Sequence, residues 1–139
     1  MKMLLAFMLA FNIASANAAQ PSSFVVDAHC SFAETIKHVR LAAINNNFRI
    51  VRERDMSVNG VKIHAIWFCN FAFLNKAVLK HKQVGYLLPF RVTVVEHNGK
   101  ISVSAANPDR SMELVKSKLG NLCDTITAEY KAILEESTL

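Results

Sequence analysis

Asn98-Gly99 separates two runs of alternating side chains, Phe90–His97 and Lys100–Ala106, and so limits this part of the chain to one arrangement. Asn-Gly favours a two-residue type I′ turn, and the turn fixes how the flanking strands pair. One face of the paired strands then carries Val92, Val94, Val103 and Ala105. The opposite face carries Arg91, Thr93, Val95, Ser102, Ser104 and Ala106. The sequence therefore predicts a β-hairpin with one apolar and one polar face.

Three further strands are predicted upstream of the hairpin, at Phe24–Cys30, Phe48–Glu53 and Val61–Asn70. Residues 54–60 are polar and predict a turn. Val61–Asn70 is the most apolar strand, and we expect both of its faces to be covered, by a core, a ligand pocket or a second subunit. The face that carries Ile63, Ala65, Trp67 and Cys69 is predicted to belong to the core or to a ligand pocket. The other carries His64, Ile66 and Phe68.

The first helix is predicted from its N-terminal cap. Ser31 and Glu34 have the spacing of a capping box, and Asn45-Asn46-Asn47 is typical of a helix end. The helix therefore extends to about residue 45. Its apolar stripe is predicted to be Ile36, Val39, Ala43 and Ile44.

Two more helices complete the order of elements. Phe71–Lys82 has the pattern of a short amphipathic helix. Asn107-Pro108 is a typical start for a longer helix, which we expect to continue to about Glu136 with Gly120 as its weak point. Because the strands cluster and do not alternate with helices, the sequence predicts an α+β fold. It has an antiparallel sheet of about five strands, two main helices and a short extra helix after the third strand.

Residues 1–18 have the pattern of a secretory signal peptide. Met1-Lys2 is a short basic start, residues 3–14 are almost entirely apolar, and Ala16-Asn17-Ala18 fits the cleavage rule. As a helix, residues 3–14 would span about 18 Å, whereas the hydrocarbon layer of a bilayer is about 30 Å thick. We therefore expect cleavage after Ala18, a single domain over residues 19–139, and no stable membrane anchor in the mature protein. A buried N-terminal helix or a membrane anchor is the alternative.

An exported chain of this charge has a restricted set of partners. Loss of Lys2 with the leader lowers the formal net charge from +5 to +4. A mildly basic periplasmic or secreted protein can meet anionic surfaces, but nucleic acid is not an expected partner there. The chain is 52% hydrophobic and 19% charged, which excludes a disordered tail and a coiled coil.

Four segments occur in a characteristic order: Trp67-Phe68-Cys69-Asn70, Gly85–Arg91, Asn98-Gly99 and Ala106-Asn107-Pro108. In these segments the chain resembles the DUF302 family, and the resemblance extends over about residues 24–134. It implies a compact β-α-β(4)-α domain, described as TBP-like, with homodimerisation as an option. It implies no reaction, because the family is defined by an unknown function. Members commonly have Pro after the Asn of the first segment, whereas Phe71 follows it here.

Cys69 and His64 are the candidates for chemistry on the third strand. A Cys69 thiolate could ligate a metal or haem iron or act as a nucleophile, or Cys69 could be a small core residue. His64 could likewise ligate a metal or haem iron, or be a hydrogen-bonded core or interface histidine. Their odd separation places them on opposite faces of a regular strand, which argues against a Cys-His pair. The spacings typical of zinc, covalent haem and thioredoxin-like sites are absent from the sequence.

Trp67 and Arg91 are the other candidates for ligand binding. Arg91 lies on the polar face of the hairpin, where its planar guanidinium could bind a carboxylate or a phosphate, or form a salt bridge. Trp67 shares its strand face with Cys69. Cysteine pairing stays open: Cys30–Cys69, Cys30–Cys123, Cys69–Cys123 or three reduced thiols.

Three functions fit these observations. The first is an exported small binding domain that holds an apolar or haem-like ligand, or a partner, against the third strand. The second is a redox protein or enzyme that uses Cys69, although no catalytic base can be named for it. The third is a homodimeric structural or interaction protein whose apolar surface is the subunit interface. We rank the enzyme last, because strand geometry keeps the nearest base, His64, away from Cys69.

Overall fold

A computed structural model describes residues 23–86 and 90–138 of the chain, so the predicted signal peptide lies outside the described residues. The strands are β1 (Ser23–Ala28), β2 (Arg49–Val58), β3 (Val61–Cys69), β4 (Phe90–His97) and β5 (Lys100–Ala106). The helices are α1 (Phe32–Asn45), α2 (Phe71–Lys80), α3 (Pro108–Met112), α4 (Lys116–Leu119) and α5 (Asn121–Glu136). Short 3₁₀ segments occupy Lys82–Tyr86 and Glu113–Val115. None of the described helices has both the length and the apolar character needed to cross a bilayer.

The five strands form one antiparallel sheet in the order β1-β5-β4-β3-β2. Helices α1 and α5 pack against each other over one face of this sheet and enclose the core. The predicted α+β architecture, with a five-stranded antiparallel sheet, is therefore confirmed. The first and last strands in spatial order, β1 and β2, are the two edges of the described sheet.

The predicted hairpin is found in its predicted register. His97 pairs with Lys100, and Val94 pairs with Val103. The turn residue Asn98 has φ 51° and Gly99 has φ 75°, as a type I′ turn requires. The local chemistry of the turn thus determines which side chains of β4 and β5 enter the core.

The turn predicted over residues 54–60 is wrong for most of its length. Strand β2 continues to Val58, and the reversal is made by Asn59-Gly60, with φ 51° and 79°. Residues 54–58 pair with β3 along their whole length. Their polarity is compatible with a strand because β2 is an edge strand whose side chains are largely exposed to water.

The cap of α1 is confirmed and its apolar stripe needs one correction. The Glu34 backbone N–H donates to Ser31 Oγ at 3.3 Å, and the Ser31 backbone N–H donates to a Glu34 carboxylate oxygen at 3.1 Å. The helix ends at Asn45, and Asn47 takes a left-handed conformation just after it. Ile44 was predicted to face the core but is 57% exposed, because Ala42 occupies the buried position of that turn.

The C-terminal segment does not form the single helix predicted from Asn107 to about Glu136. Asn107 is the N-cap of α3 as predicted, but the helix is interrupted at Gly120, which has φ 57° and ψ −132°. These angles lie outside the helical region, and glycine adopts them readily because it lacks Cβ. In α5, which begins after this break, Cys123 is buried and its neighbour Leu122 is only half-buried.

Four aromatic rings form the centre of the core between the sheet and α5. Phe68 of β3 meets the edge of Phe48 at 5.5 Å between ring centres and lies 5.8 Å from the Tyr130 ring. The Tyr130 ring stacks on Phe90 of β4 at 4.2 Å. The helix-covered side of β3 is thus the one that bears Phe68, together with Ile66 and His64.

Candidate functional site

None of the helices in residues 23–86 and 90–138 packs on the other side of the sheet, which we call the open face. Period-two geometry assigns to it Arg52 and Arg54 of β2, Ile63 and Trp67 of β3, Arg91 and Thr93 of β4, Ser102, Ser104 and Ala106 of β5, and Val25 and Asp27 of β1. Val25 is 64% exposed, which confirms that this end of the face is open to water. Of the four predicted site residues, Trp67 and Arg91 are accessible on the open face, whereas Cys69, two residues after Trp67 on the same side of β3, is buried at the end of the strand.

Strand pairing brings Trp67 and Arg91 directly opposite each other. Trp67 pairs with Arg91 in the β3–β4 register, and with Arg52 on its other side in the β2–β3 register. The Arg52 guanidinium lies over the indole, with Cζ 5.3 Å from the ring centre, which is a cation–π contact. Three neighbouring strands thus contribute one continuous line of side chains, Arg52–Trp67–Arg91, which we call the Arg–Trp–Arg row.

A cleft of about 590 Å³ lies beside this row, at the end of the open face where β4 begins and β5 ends, and the core residues Phe90, Ala105 and Tyr130 also line it. Trp67 and Arg91 form its wall, and the neighbouring positions of β5, Ser104 and Ala106, are small. Large side chains beside small ones on adjacent strands create the depression. Its volume falls within the range of about 300–1,000 Å³ that is typical of small-molecule sites. The cleft is lined by Ser23, Val25, Trp67, Phe90, Arg91, Thr93, Ser104, Ala105, Ala106, Ser111 and Tyr130.

The open face is positively charged near the row. Arg52, Arg54 and Arg91 belong to it, and none of them forms an ion pair with a carboxylate of the described residues. The acidic residue that β1 adds to this face is Asp27, at the opposite edge of the sheet from β2. Guanidinium groups without a protein counterion favour an anionic group bound from outside.

Tyr130 fixes the backbone that carries Arg91. The phenol O–H donates to the Arg91 carbonyl oxygen at 2.9 Å, and the ring is buried in the aromatic core. Burial raises the pKa of Tyr130 well above its usual value, so the phenol remains a hydrogen-bond donor at all physiological pH values. The position of Arg91 at the cleft is therefore tied to the rigid side of the domain.

His64 lies on the helix-covered side, in a polar network at the β2–β3 edge. Its Nδ1 is 2.6 Å from Asp55 Oδ1, and its Nε2 is 3.4 Å from Glu53 Oε1. Arg40 of α1 holds Glu53 through two hydrogen bonds of 2.7 and 3.1 Å. Both ring nitrogens of His64 thus face carboxylates, so neither is free to ligate haem iron or a metal. Within residues 23–86 and 90–138, no cluster of three or more His, Cys, Asp or Glu could hold a metal ion.

The Arg40–Glu53 contact predicts a pH dependence of stability. The hydrogen bonds from the Arg40 guanidinium lower the pKa of Glu53 below its ordinary value of 4.5. A carboxyl group with a depressed folded pKa stabilises the fold above its unfolded pKa, and this contribution is lost as the pH falls through the folded pKa. We therefore expect Glu53→Gln to flatten the decline in unfolding free energy between about pH 5 and pH 3, as measured by urea denaturation at each pH.

Glu135→Gln is the matched control for this measurement, because Glu135 is an exposed carboxylate of α5. The Glu135→Gln variant should follow the wild-type pH dependence. An equally steep decline in the Glu53→Gln variant would show that the Arg40–Glu53 contact does not contribute to acid sensitivity.

Cys69 lies at the end of β3 and is buried among core residues. Burial raises the pKa of the Cys69 thiol, which disfavours the thiolate needed for a nucleophile or an iron ligand. Cys30, Cys69 and Cys123 are all free thiols. The structure thus brings Trp67 and Arg91 together, but it places Cys69 and His64 away from the cleft.

Arg52 and Arg54 are site residues that the sequence reasoning missed. The signal was present, because Arg52, Arg54 and Met56 alternate along β2 and belong to one face of a strand. Assigning residues 54–60 to a turn concealed this alternation. Because residues 54–60 were predicted to form a turn, Arg52 and Arg54 were not predicted to belong to the site.

The chain matches the family described as "Domain of unknown function DUF302" over residues 24–137. It is similar to a solved structure described as "Crystal structure of uncharacterized conserved protein DUF302 from Bacillus stearothermophilus", with a TM-score of 0.75 and 17% sequence identity. That similarity covers 84% of this chain and 98% of the other. At this identity it concerns the fold alone. No curated protein matches the chain.

Proposed function

The chain belongs to the DUF302 family, and we propose that this member is an exported binding domain that holds a small molecule on the open face of its sheet. The observation that carries the proposal is the Arg–Trp–Arg row beside a cleft of about 590 Å³. The signal-peptide pattern of residues 1–18 supports a site of action outside the cytoplasm.

The lining of the cleft indicates a ligand with both an apolar and a polar part. Trp67 and Val25 supply apolar surface, while Arg91, Thr93 and Ser104 supply hydrogen-bond donors. Such a mixture of apolar walls and a few polar groups is characteristic of small-molecule sites. A haem-like ligand in this cleft would receive no axial ligand from Cys69 or His64, because neither lines it.

The proposal can be tested by what the protein carries from its natural host. Ser104→Phe should fill the cleft from the open face of β5, because the Ser104 position lies on the side of the strand opposite the helices. The matched control is Ser102→Phe, which adds the same ring on the same face but outside the cleft lining. Small molecules are extracted from each purified protein and identified by mass spectrometry.

We expect one compound, in an amount close to that of the protein, from the wild type and the Ser102→Phe variant, and a loss of at least tenfold from the Ser104→Phe variant. Recovery of the same compound in equal amounts from all three proteins would contradict the cleft as the site. Recovery of no compound, combined with a dimer of the wild type in light scattering that Ser104→Phe dissociates, would instead favour the homodimer. Exposed Val25 and Met56 on the open face are the residues that such a dimer would bury.

A further inference from the structure

We propose that the ligand of this cleft is a planar aromatic carboxylate, with its ring against Trp67 and its carboxylate on Arg91. This inference rests on the proposed binding function and specifies the chemical class of the ligand. It follows from three properties of the open face: an uncompensated charge, a flat aromatic surface and limited space.

The charge is the first property. Arg52, Arg54 and Arg91 have no carboxylate partner among the described residues, and Arg91 lines the cleft. A guanidinium group donates two parallel hydrogen bonds to a carboxylate, and such charge-assisted pairs are among the strongest in proteins. An anion bound at Arg91 would also be attracted by the two arginines of β2, which the register places on the same face.

The flat surface is the second property. Trp67 is half-buried, so its indole is held in place, and it forms part of the cleft wall. The Arg52 guanidinium forms a cation–π contact with the indole, with Cζ 5.3 Å from the ring centre, so a planar group can approach the ring from the open face. An aromatic ligand ring can pack against the indole in an offset or edge geometry, which adds to the apolar area that it buries.

The available space is the third property. The cleft of about 590 Å³ is bounded on β5 by Ser104 and Ala106, whose small size leaves room for a group of one or two rings. The Ser104 hydroxyl makes only a long contact, 3.5 Å, to the Thr93 carbonyl oxygen, so it can rotate toward a bound polar group. Trp67 to Arg91 is one strand spacing, about 4.8 Å, so one small molecule can reach both.

The same observations disfavour two macromolecular ligands for this face, a second copy of the chain and a single-stranded nucleic acid. A second copy placed face to face would bring the arginines of both chains together, which opposes association. Surfaces for single-stranded nucleic acid stack successive bases on several aromatic side chains. On the open face of the described strands, Trp67 is the single Trp, Tyr or Phe residue.

Three probes that share one carbon skeleton, and differ in charge or in aromaticity, test the inference with ligand-free protein. They are naphthalene-2-carboxylate, its neutral amide, and the saturated decahydronaphthalene-2-carboxylate. Affinity is measured by calorimetry, and binding at the cleft is confirmed by the NMR signal of the single Trp indole N–H. We expect the aromatic carboxylate to bind at least tenfold more tightly than either of the other two probes.

Arg91→Gln should lower the affinity for the aromatic carboxylate at least tenfold and leave the affinity for the amide unchanged. Arg49→Gln is the matched control, because it removes the same charge from β2 at an exposed position outside the cleft, and it should change the affinity less than threefold. If Arg91→Gln lowers the affinity no more than Arg49→Gln does, the ligand carboxylate does not bind at Arg91.

The result also separates failure of the ligand class from failure of the binding function. Tighter binding of the amide or of the saturated acid than of naphthalene-2-carboxylate would overturn the proposal of an aromatic carboxylate as the ligand. The proposed ligand class would also be wrong if none of the three probes bound while the wild type still carried a host compound that the Ser104→Phe variant loses. In that case the proposed binding function would stand. Absence of both the probe signal and a host compound would overturn the two proposals together.

Discussion

Replacing Phe68 with Ala is expected to lower the free energy of unfolding by about 3–5 kcal/mol. The Phe68 side chain is fully buried and contacts the rings of Phe48 and Tyr130 at 5.5 and 5.8 Å between centres. These neighbours come from different elements, α5 and the segment before β2, so they cannot collapse together into the space that the ring leaves. Equilibrium urea denaturation, followed by circular dichroism, measures the loss.

Phe71→Ala is the matched control for the Phe68 experiment. Phe71 is the first residue of α2, is 46% exposed and lies only three positions farther along the chain. We expect its replacement to cost less than about 1 kcal/mol, because much of the ring already contacts water. A Phe68→Ala loss no greater than the Phe71→Ala loss would show that the aromatic cluster is not the centre of the core.

The elements that could be predicted from the sequence are those specified by local chemistry. Asn98-Gly99 requires two consecutive positive φ angles, and that requirement alone fixes the β4–β5 register. The capping box of Ser31 and Glu34 likewise fixes the start of α1 within its own first turn. Neither feature depends on a distant part of the chain, so both could be predicted from the sequence.

The end of β2 was missed because its alternating side chains are almost all polar, so neither face of the strand has an apolar pattern. Residues 54–58 are paired on one side only, and an edge strand exposed to water tolerates polar residues at successive positions. Pairing with β3, not an apolar pattern, defines this strand. Alternation of apolar and polar residues reflects the burial of one strand face. It therefore does not predict a strand that is held mainly by backbone hydrogen bonds and buries neither face.

Individual residues of the site could be predicted from the sequence, but which of them are neighbours in the sheet could not. Strand parity indicated that Arg91 belongs to the polar face of the hairpin and Trp67 to one face of β3. Their pairing depends on the β3–β4 register, which is set after the chain passes through α2. The same limit applied to His64, whose partners Asp55 and Glu53 become neighbours only through the β2–β3 pairing.

Gly120→Ala is expected to destabilise the protein by about 1–3 kcal/mol. Gly120 joins α4 to α5 with φ 57° and ψ −132°, a conformation that residues with a Cβ rarely adopt. A Cβ built at this position would have no atom within 4 Å, so the cost comes from the backbone conformation and not from a clash. Urea denaturation measures the change in unfolding free energy.

The sign of this change separates the observed break from the continuous helix that the sequence pattern favours. In the interior of an uninterrupted helix, replacing Gly with Ala stabilises by about 1 kcal/mol, because Ala has the higher helix propensity. At the interruption the same replacement must destabilise, because α4 and α5 have to change direction to relieve the strain. Lys118→Ala, at an exposed position of α4, is the control and should change the stability by less than about 0.5 kcal/mol. A stabilised Gly120→Ala variant would therefore mean that residues 116–136 form one helix, and that the burial of Cys123 requires another explanation.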